Sequence, residues 1–238
     1  GAGYIGSHTA RFLIERGFLV TTLDNLSTGR REFAQGTFIE GDLGDEQLLE
    51  KIFSEEKFDA VMHFAASIEV EESVNNPLKY YQNNVINALW LLEAAIRHGV
   101  RAFVFSSSCT VYAEGVTVPI DETAPTQPTS PYGETKLIFE NILQWFAPAY
   151  GLSSVSLRYF NAAGASLDGA LGLANPASTL LIPNALNVAL GKKEILRVNG
   201  GDYRTQDGTA VRDYIHVLDL AQAHYLALNY LFERNRQP

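Results

Sequence analysis

Gly1-Ala2-Gly3-Tyr4-Ile5-Gly6-Ser7-His8 runs without a break into an apolar helical pattern through Phe12, Leu13 and Ile14, which Gly17 ends. This is Gly-x-Gly-x-x-Gly opening a helix. Glycines let the backbone turn tightly and come close to a pyrophosphate, and the unpaired amides and dipole of the helix start favour its negative charge. The next segment, 18–23, reads as a strand that ends in Asp24. That lies about 20 residues past the loop, where a dinucleotide fold places the acid that holds the adenosine ribose hydroxyls. An acid at this point repels a 2′-phosphate, so the reading is NAD over NADP.

Working outward, strands and helices alternate. A strand over 37–40 leads to Gly41-Asp42-Leu43, with a helix over 45–55; a buried strand over 59–64 leads to Ala65-Ala66, small residues suited to close approach of a cofactor. Asn76 and Pro77 start a helix that runs to Gly99 on a Val85, Leu89, Leu92, Ile96 stripe, with Asn83 and Asn84 read as exposed. The strand 102–105 delivers Ser106-Ser107-Ser108-Cys109-Thr110, either a serine-rich turn or a set of ligand hydrogen-bonders. A helix over 132–146 stops near Pro148, and the strand 155–159 ends in Phe160-Asn161. The pattern predicts an α/β, doubly wound parallel sheet of Rossmann type, whose ligands collect at the carboxyl ends of its strands.

Beyond residue 165 the organisation loosens: a loop over 166–177, a helix over 180–190, a short strand over 195–198, a turn at Gly200-Gly201-Asp202 and a last helix over 219–232. The expected division is a nucleotide-binding domain over 1–165 and part of a smaller substrate-binding region over 166–238, with 213–234 packing back on the first domain. Because residue 1 already lies in a ligand loop and Gln237-Pro238 follow a helical pattern directly, the chain reads as a fragment whose first strand is missing. Targeting is then illegible.

A net charge of −9 on 238 residues argues against nucleic acid or an anionic membrane as partner. Cys109 is the one cysteine, which excludes a disulfide framework and fits a reducing cytoplasm. The five histidines show no zinc spacing, so no metal is expected, and no apolar run reaches membrane-spanning length.

Chemistry centres on Tyr132-Gly133-Glu134-Thr135-Lys136, a tyrosine and a lysine one helical turn apart on a shared face. A positive neighbour favours the phenolate, although bringing a tyrosine from about 10 to about 7 takes roughly 4 kcal/mol. Taken alone the pair also fits an ordinary surface helix. Lys192, Lys193, Arg197, Arg204 and Arg212 form a cationic run on an acidic chain. Arg212 is favoured as a phosphate ligand because a guanidinium grips two oxygens at once; the two lysines read as solvated charges.

With these segments in place, the chain resembles the UDP-glucose 4-epimerases of the extended short-chain dehydrogenase/reductase family. The likeness runs from Gly1 to the final helix and rests on the glycine loop with Ser7-His8, Leu23-Asp24-Asn25-Leu26, His63-Phe64-Ala65-Ala66, Ser106 to Tyr112, Ser130-Pro131-Tyr132-Gly133, Arg158-Tyr159-Phe160-Asn161 and Val211 to Val217. Related 4,6-dehydratases usually carry Thr-Asp-Glu where this chain has Ser108-Cys109-Thr110, so the resemblance favours epimerisation. It implies Tyr132 as acid/base, Ser108 bonded to the same sugar oxygen, and Lys136 lowering the tyrosine pKa. Carried over by position, the NAD contacts are Gly3, Ile5, Gly6, Asp24, Asn25, Asp42, Leu43, Phe64, Ala65, Asn83, Ser106, Lys136 and Tyr159. Asn161 and Arg212 join Ser108 on the UDP-sugar. Family members commonly pair as homodimers through helices 77–98 and 132–146.

Two departures leave the sugar open. Thr179-Leu180 stand where many members have Asn or His beside Leu-Ile-Pro, and Ile68 stands where some have lysine. UDP-xylose, UDP-N-acetylglucosamine or UDP-glucuronate are therefore alternative substrates. A non-catalytic NAD-binding module is the reading from another class.

Overall fold

The computed structural model describes residues 1–175, 180–198 and 200–235. Thr179, the departure noted above, and the end of the loop at 176–177 lie outside them. Two parallel sets of strands form the framework. β1 (Thr21–Asp24) pairs with β2 (Thr37–Glu40), and β3 (Ala60–His63), β4 (Ala102–Ser106) and β5 (Ser153–Leu157) follow side by side with β4 central. No ladder joins β1 to β3 among the described residues.

β4 shows why the layers form. Every residue in it is buried, and alternate side chains feed opposite faces. Phe103 and Phe105 pack with Leu49 and Phe53 of α2 (Glu46–Glu55), Leu91 and Leu92 of α5 (Ala88–Arg97), and Phe139 and Leu143 of α6 (Pro131–Tyr150). Ala102 and Val104 pack instead with Leu13 of α1 (Tyr4–Ile14) and Ala227, Leu228 and Leu231 of α8 (Val217–Asn235). Helices on both faces of a parallel sheet make the fold doubly wound. Each buried Phe or Leu contributes about 2–3 kcal/mol, so these two layers supply most of the driving force.

Local signals set the ends. Asp45 accepts from the Leu48 amide at the start of α2, and Ser130 accepts from Gly133 N at the start of α6, with Pro131 in the first turn. α6 does not stop near Pro148. That proline occupies the last turn, where its missing N–H forfeits one bond, and Gly151 ends the helix in the left-handed conformation at φ 64°.

Other expectations also need correction. β1 begins at Thr21, because Phe18 and Val20 pack toward α8 while Leu19 is fully exposed. Residues 195–198 form no strand; Ile195 and Val198 are exposed and pair with nothing ladder-like. A short helix α3 (Val70–Asn75) precedes α4 (Pro77–Tyr81), and α4 joins α5 through a π-helical turn at Gln82–Asn87. α7 (Leu181–Ala189) fits the expected helix, and β6 (Asn161–Ala163) pairs in parallel with β7 (Tyr214–His216), a contact too short to leave a sequence pattern. Among the described residues no helix is long and apolar enough to cross a membrane.

Candidate active site

The carboxyl ends of β1, β3, β4 and β5 and the first turns of α1 and α6 carry the candidate residues. Beyond β4, Ser108 Oγ accepts from Thr110 N at 3.2 Å and lies 3.0 Å from Thr110 Oγ1, closing a tight turn. Gly133 lets α6 lie against that turn: a Cβ there would meet Thr110 O at 2.5 Å and Pro128 Cβ at 2.9 Å. Tyr132 is thereby buried beside Ser108. Burial raises the Tyr132 pKa, and the neighbouring Ser108 hydroxyl opposes that rise.

Lys136 is also buried. Its Nζ donates to Ser106 O at 2.8 Å and lies 4.9 Å from the Phe105 ring centre and 5.9 Å from that of Tyr132. Burial pushes Lys136 down to about 7, against the attraction of Glu140. The expectation that Lys136 lowers the Tyr132 pKa is not met in this arrangement. The ammonium is turned onto a backbone carbonyl, and low polarity drives both groups toward neutrality.

Several supports of this pair left no signal in the linear sequence. Asn84 is buried, not exposed. The π turn aims it between elements: Nδ2 donates to Ser67 O and Thr135 Oγ1, while Oδ1 accepts from Ser67 N and Asn83 Nδ2. The loop after β3 is thus tied to α6. Glu140, one turn beyond Lys136, accepts from Ser107 Oγ and from Arg158, whose Nη2 is 2.6 Å from Oε2. His63 stacks on Phe105 at 5.8 Å, neutral because burial takes it down to about 3.

On the nucleotide side, Asp24 Oδ2 accepts from Gly1 N and Ala2 N, and Oδ1 from Leu26 N. Burial acts to raise the Asp24 pKa, and hydrogen bonds from the Leu26 and Ala2 amides act to lower it. The acid therefore braces the loop through the Ala2 and Leu26 amides. A Cβ on Gly6 would meet Gly1 O at 2.6 Å, whereas one on Gly3 would meet nothing within 4 Å. The loop is closed behind Gly6 and open above Gly3. Ile5 lies in the first turn of α1, whose cap, Gly3, offers no side-chain acceptor to the first amides. Such a cradle fits the pyrophosphate of NAD.

Asn25 donates to Asp42, whose other oxygen accepts from Gly44 N; Leu43 packs into the layer shared by α2 and α5. Asn83 also reaches Ser67 Oγ at 3.4 Å. Phe64, Ser106 and Tyr159 meet around His224, while Ala65 is half-buried just beyond Phe64. On the opposite side, Asn161 donates through N and Nδ2 to Asp213 O, which brings it beside exposed Arg212. Burial raises the Cys109 pKa; of the charges nearby, Arg212 acts to lower it and Asp213 to raise it. Lys192, Lys193, Arg197 and Arg204 stay exposed on the α7 side. A groove of about 530 Å³ along β5, lined by Ser154, Ser156, Arg158, Tyr159, Gln144 and Leu220, does not include Tyr132.

Residues 1–236 match the NAD dependent epimerase/dehydratase family. The chain belongs to this family. Among family relatives, the UDP-glucose 4-epimerase of Halalkalibacterium halodurans is 51% identical over 232 residues, 97% of this chain and 70% of that protein. The crystal structure of the Brucella ovis UDP-glucose 4-epimerase in complex with NAD superposes with a TM-score of 0.95 at 48% identity, covering 98% of this chain and 72% of that one. The Bifidobacterium longum UDP-glucose 4-epimerase, solved with NAD+ and UDP, gives 0.90 at 40% identity over 96% of this chain and 72% of that one.

Proposed function

We propose that this epimerase/dehydratase-family chain is an NAD-dependent UDP-glucose 4-epimerase, interconverting UDP-glucose and UDP-galactose through a 4-keto intermediate with Tyr132 as the acid/base. The observation that carries this is Tyr132 buried on α6 beside the Ser108 turn at the carboxyl end of β4, with Lys136 one turn away. Bound NAD supplies the acceptor and later the donor of the C4 hydride. Tyr132 takes the proton of the sugar 4-hydroxyl and returns it, Ser108 holds the same oxygen, and Lys136 adds positive charge beside both. Asn161 and Arg212 hold the UDP moiety. Incubating the protein with UDP-glucose should yield UDP-galactose with no net NADH. A panel including UDP-xylose, UDP-N-acetylglucosamine and UDP-glucuronate separates the other sugars. NAD binding with no turnover on any of them would leave the non-catalytic module.

Arg212→Leu is expected to weaken UDP binding about tenfold at low salt and less at high salt, because it removes the exposed cation next to Asp213, on whose carbonyl Asn161 is held. Titration with UDP at two ionic strengths measures this; equal affinities would make Arg212 a surface charge.

Asp24 tests cofactor choice. Asp24→Asn keeps an acceptor for Ala2 N and removes the charge, so the preference for NAD over NADP should fall about tenfold while the protein stays folded. Asp24→Ala, which also frees the loop, should lose affinity for both. An unchanged preference in the Asn variant would mean that Asp24 serves the loop alone.

Leu78, Ile86 and Trp145 are exposed on the helices expected to pair two subunits, which supports a homodimer. The single cysteine is in keeping with a cytoplasmic setting.

A further inference from the structure

His224 belongs to no motif of the sequence, yet three candidate cofactor residues converge on it. It is fully buried on α8, 118 residues from Ser106 in the chain. Its Nδ1 lies 2.8 Å from Leu220 O. A carbonyl oxygen only accepts, so Nδ1 carries the proton and Nε2 is left as an acceptor. Ser106 Oγ, 3.0 Å from Nε2, must then donate its proton there. Burial, against the Leu220 bond, takes His224 down to about 4, in keeping with a neutral ring.

The ring also touches two other strand ends. The Phe64 ring centre is 4.8 Å away and that of Tyr159 is 6.0 Å away. Burial raises the Tyr159 pKa and Ser106 opposes that rise, while Lys136 Nζ donates to the Ser106 carbonyl. The ends of β3, β4 and β5 are thus gathered on one imidazole. With its proton committed to His224, the Ser106 hydroxyl can only accept from anything else.

Resting on the proposed NAD site, we infer that His224 is a positioning residue: it fixes Ser106 as a hydrogen-bond acceptor and holds Phe64 and Tyr159 in register for the bound dinucleotide. An apolar side chain would fill the same volume but release the Ser106 proton, leaving a buried hydroxyl free to turn.

The test is a double-mutant cycle on NAD affinity, read by calorimetry in the intact protein, with thermal unfolding followed in parallel. His224→Phe should weaken NAD binding about tenfold or more, and His224→Gln, whose amide oxygen can replace Nε2 as acceptor, should stay within about threefold of the parent. In a Ser106→Ala background, His224→Phe should cost less than about threefold. Equal losses in both backgrounds, or a Gln variant as poor as Phe, would reduce His224 to packing and overturn the inference. Should the Phe variant not fold, the imidazole ¹⁵N spectrum of the parent decides. The Nε2 resonance of an Nδ1-protonated His224 should move on adding NAD, and no movement overturns the inference. Absence of NAD binding by the parent would count against the proposed function itself, a result distinct from additivity in the cycle.

Discussion

Tyr132→Phe is expected to lower turnover at least about a hundredfold while UDP binding stays within about twofold. The phenylalanine keeps the ring that α6 buries beside the Ser108 turn, so the site should keep its shape. What disappears is the buried hydroxyl beside the Ser108 turn that Lys136 can influence from the next turn. Burial holds this phenol well above neutrality in the free protein, so its usefulness as a base depends on charge that arrives with the ligands. Initial rates and UDP titrations of the two proteins decide the matter. A variant that retains even a tenth of the parental rate would remove Tyr132 from proton transfer.

Glu140→Ala should cost about 3–5 kcal/mol of stability, the usual penalty for leaving a buried charge without its partner. Glu140 is 4% exposed and Arg158 18%. Arg158 Nε lies 3.0 and 3.1 Å from the two carboxylate oxygens, a fork that no water replaces cheaply. Ser107, which sits between Ser106 and Ser108, would lose its acceptor at the same time. Replacing both partners, as Glu140→Met with Arg158→Leu, should recover most of the loss, because the desolvation of both charges goes with them. Urea midpoints of the single and double variants measure this. A single variant within 1 kcal/mol of the parent would show that the pair is dispensable.

The parts of the molecule readable in advance were those whose cause is local. The glycine loop, Asp24 at the end of a strand, and Tyr132 with Lys136 on one turn each depend on a few consecutive residues, and the structure has Asp24 ending β1 and both Tyr132 and Lys136 on α6. The alternation of strand and helix carried the doubly wound sheet for the same reason. Contacts between distant segments were a different matter. Glu140 finds Arg158 18 residues on, and His224 finds Ser106 118 residues back, with nothing in either neighbourhood to announce the meeting. Asn84 looked like one polar residue on an exposed stripe because a regular 3.6-residue period was assumed through a segment that is locally wider. Spacing along a helix says nothing about where a lysine ammonium points, and that of Lys136 points at the Ser106 carbonyl.

That wider turn at Gln82–Asn87 amounts to one supernumerary residue in an otherwise continuous rod from Pro77 to Arg97. One residue is worth about 100° of rotation in an α-helix, so the two halves of the rod are out of phase by roughly that angle. The upstream half turns Tyr80 toward α3, where its hydroxyl binds Glu69 O and Glu72. The downstream half turns Leu91 and Leu92 into the apolar layer over β4. A single helix thereby answers to two masters, with the slip between them placed where Asn84 meets α6. Shortening the chain there by one residue would straighten the rod and swing one of those allegiances out of place.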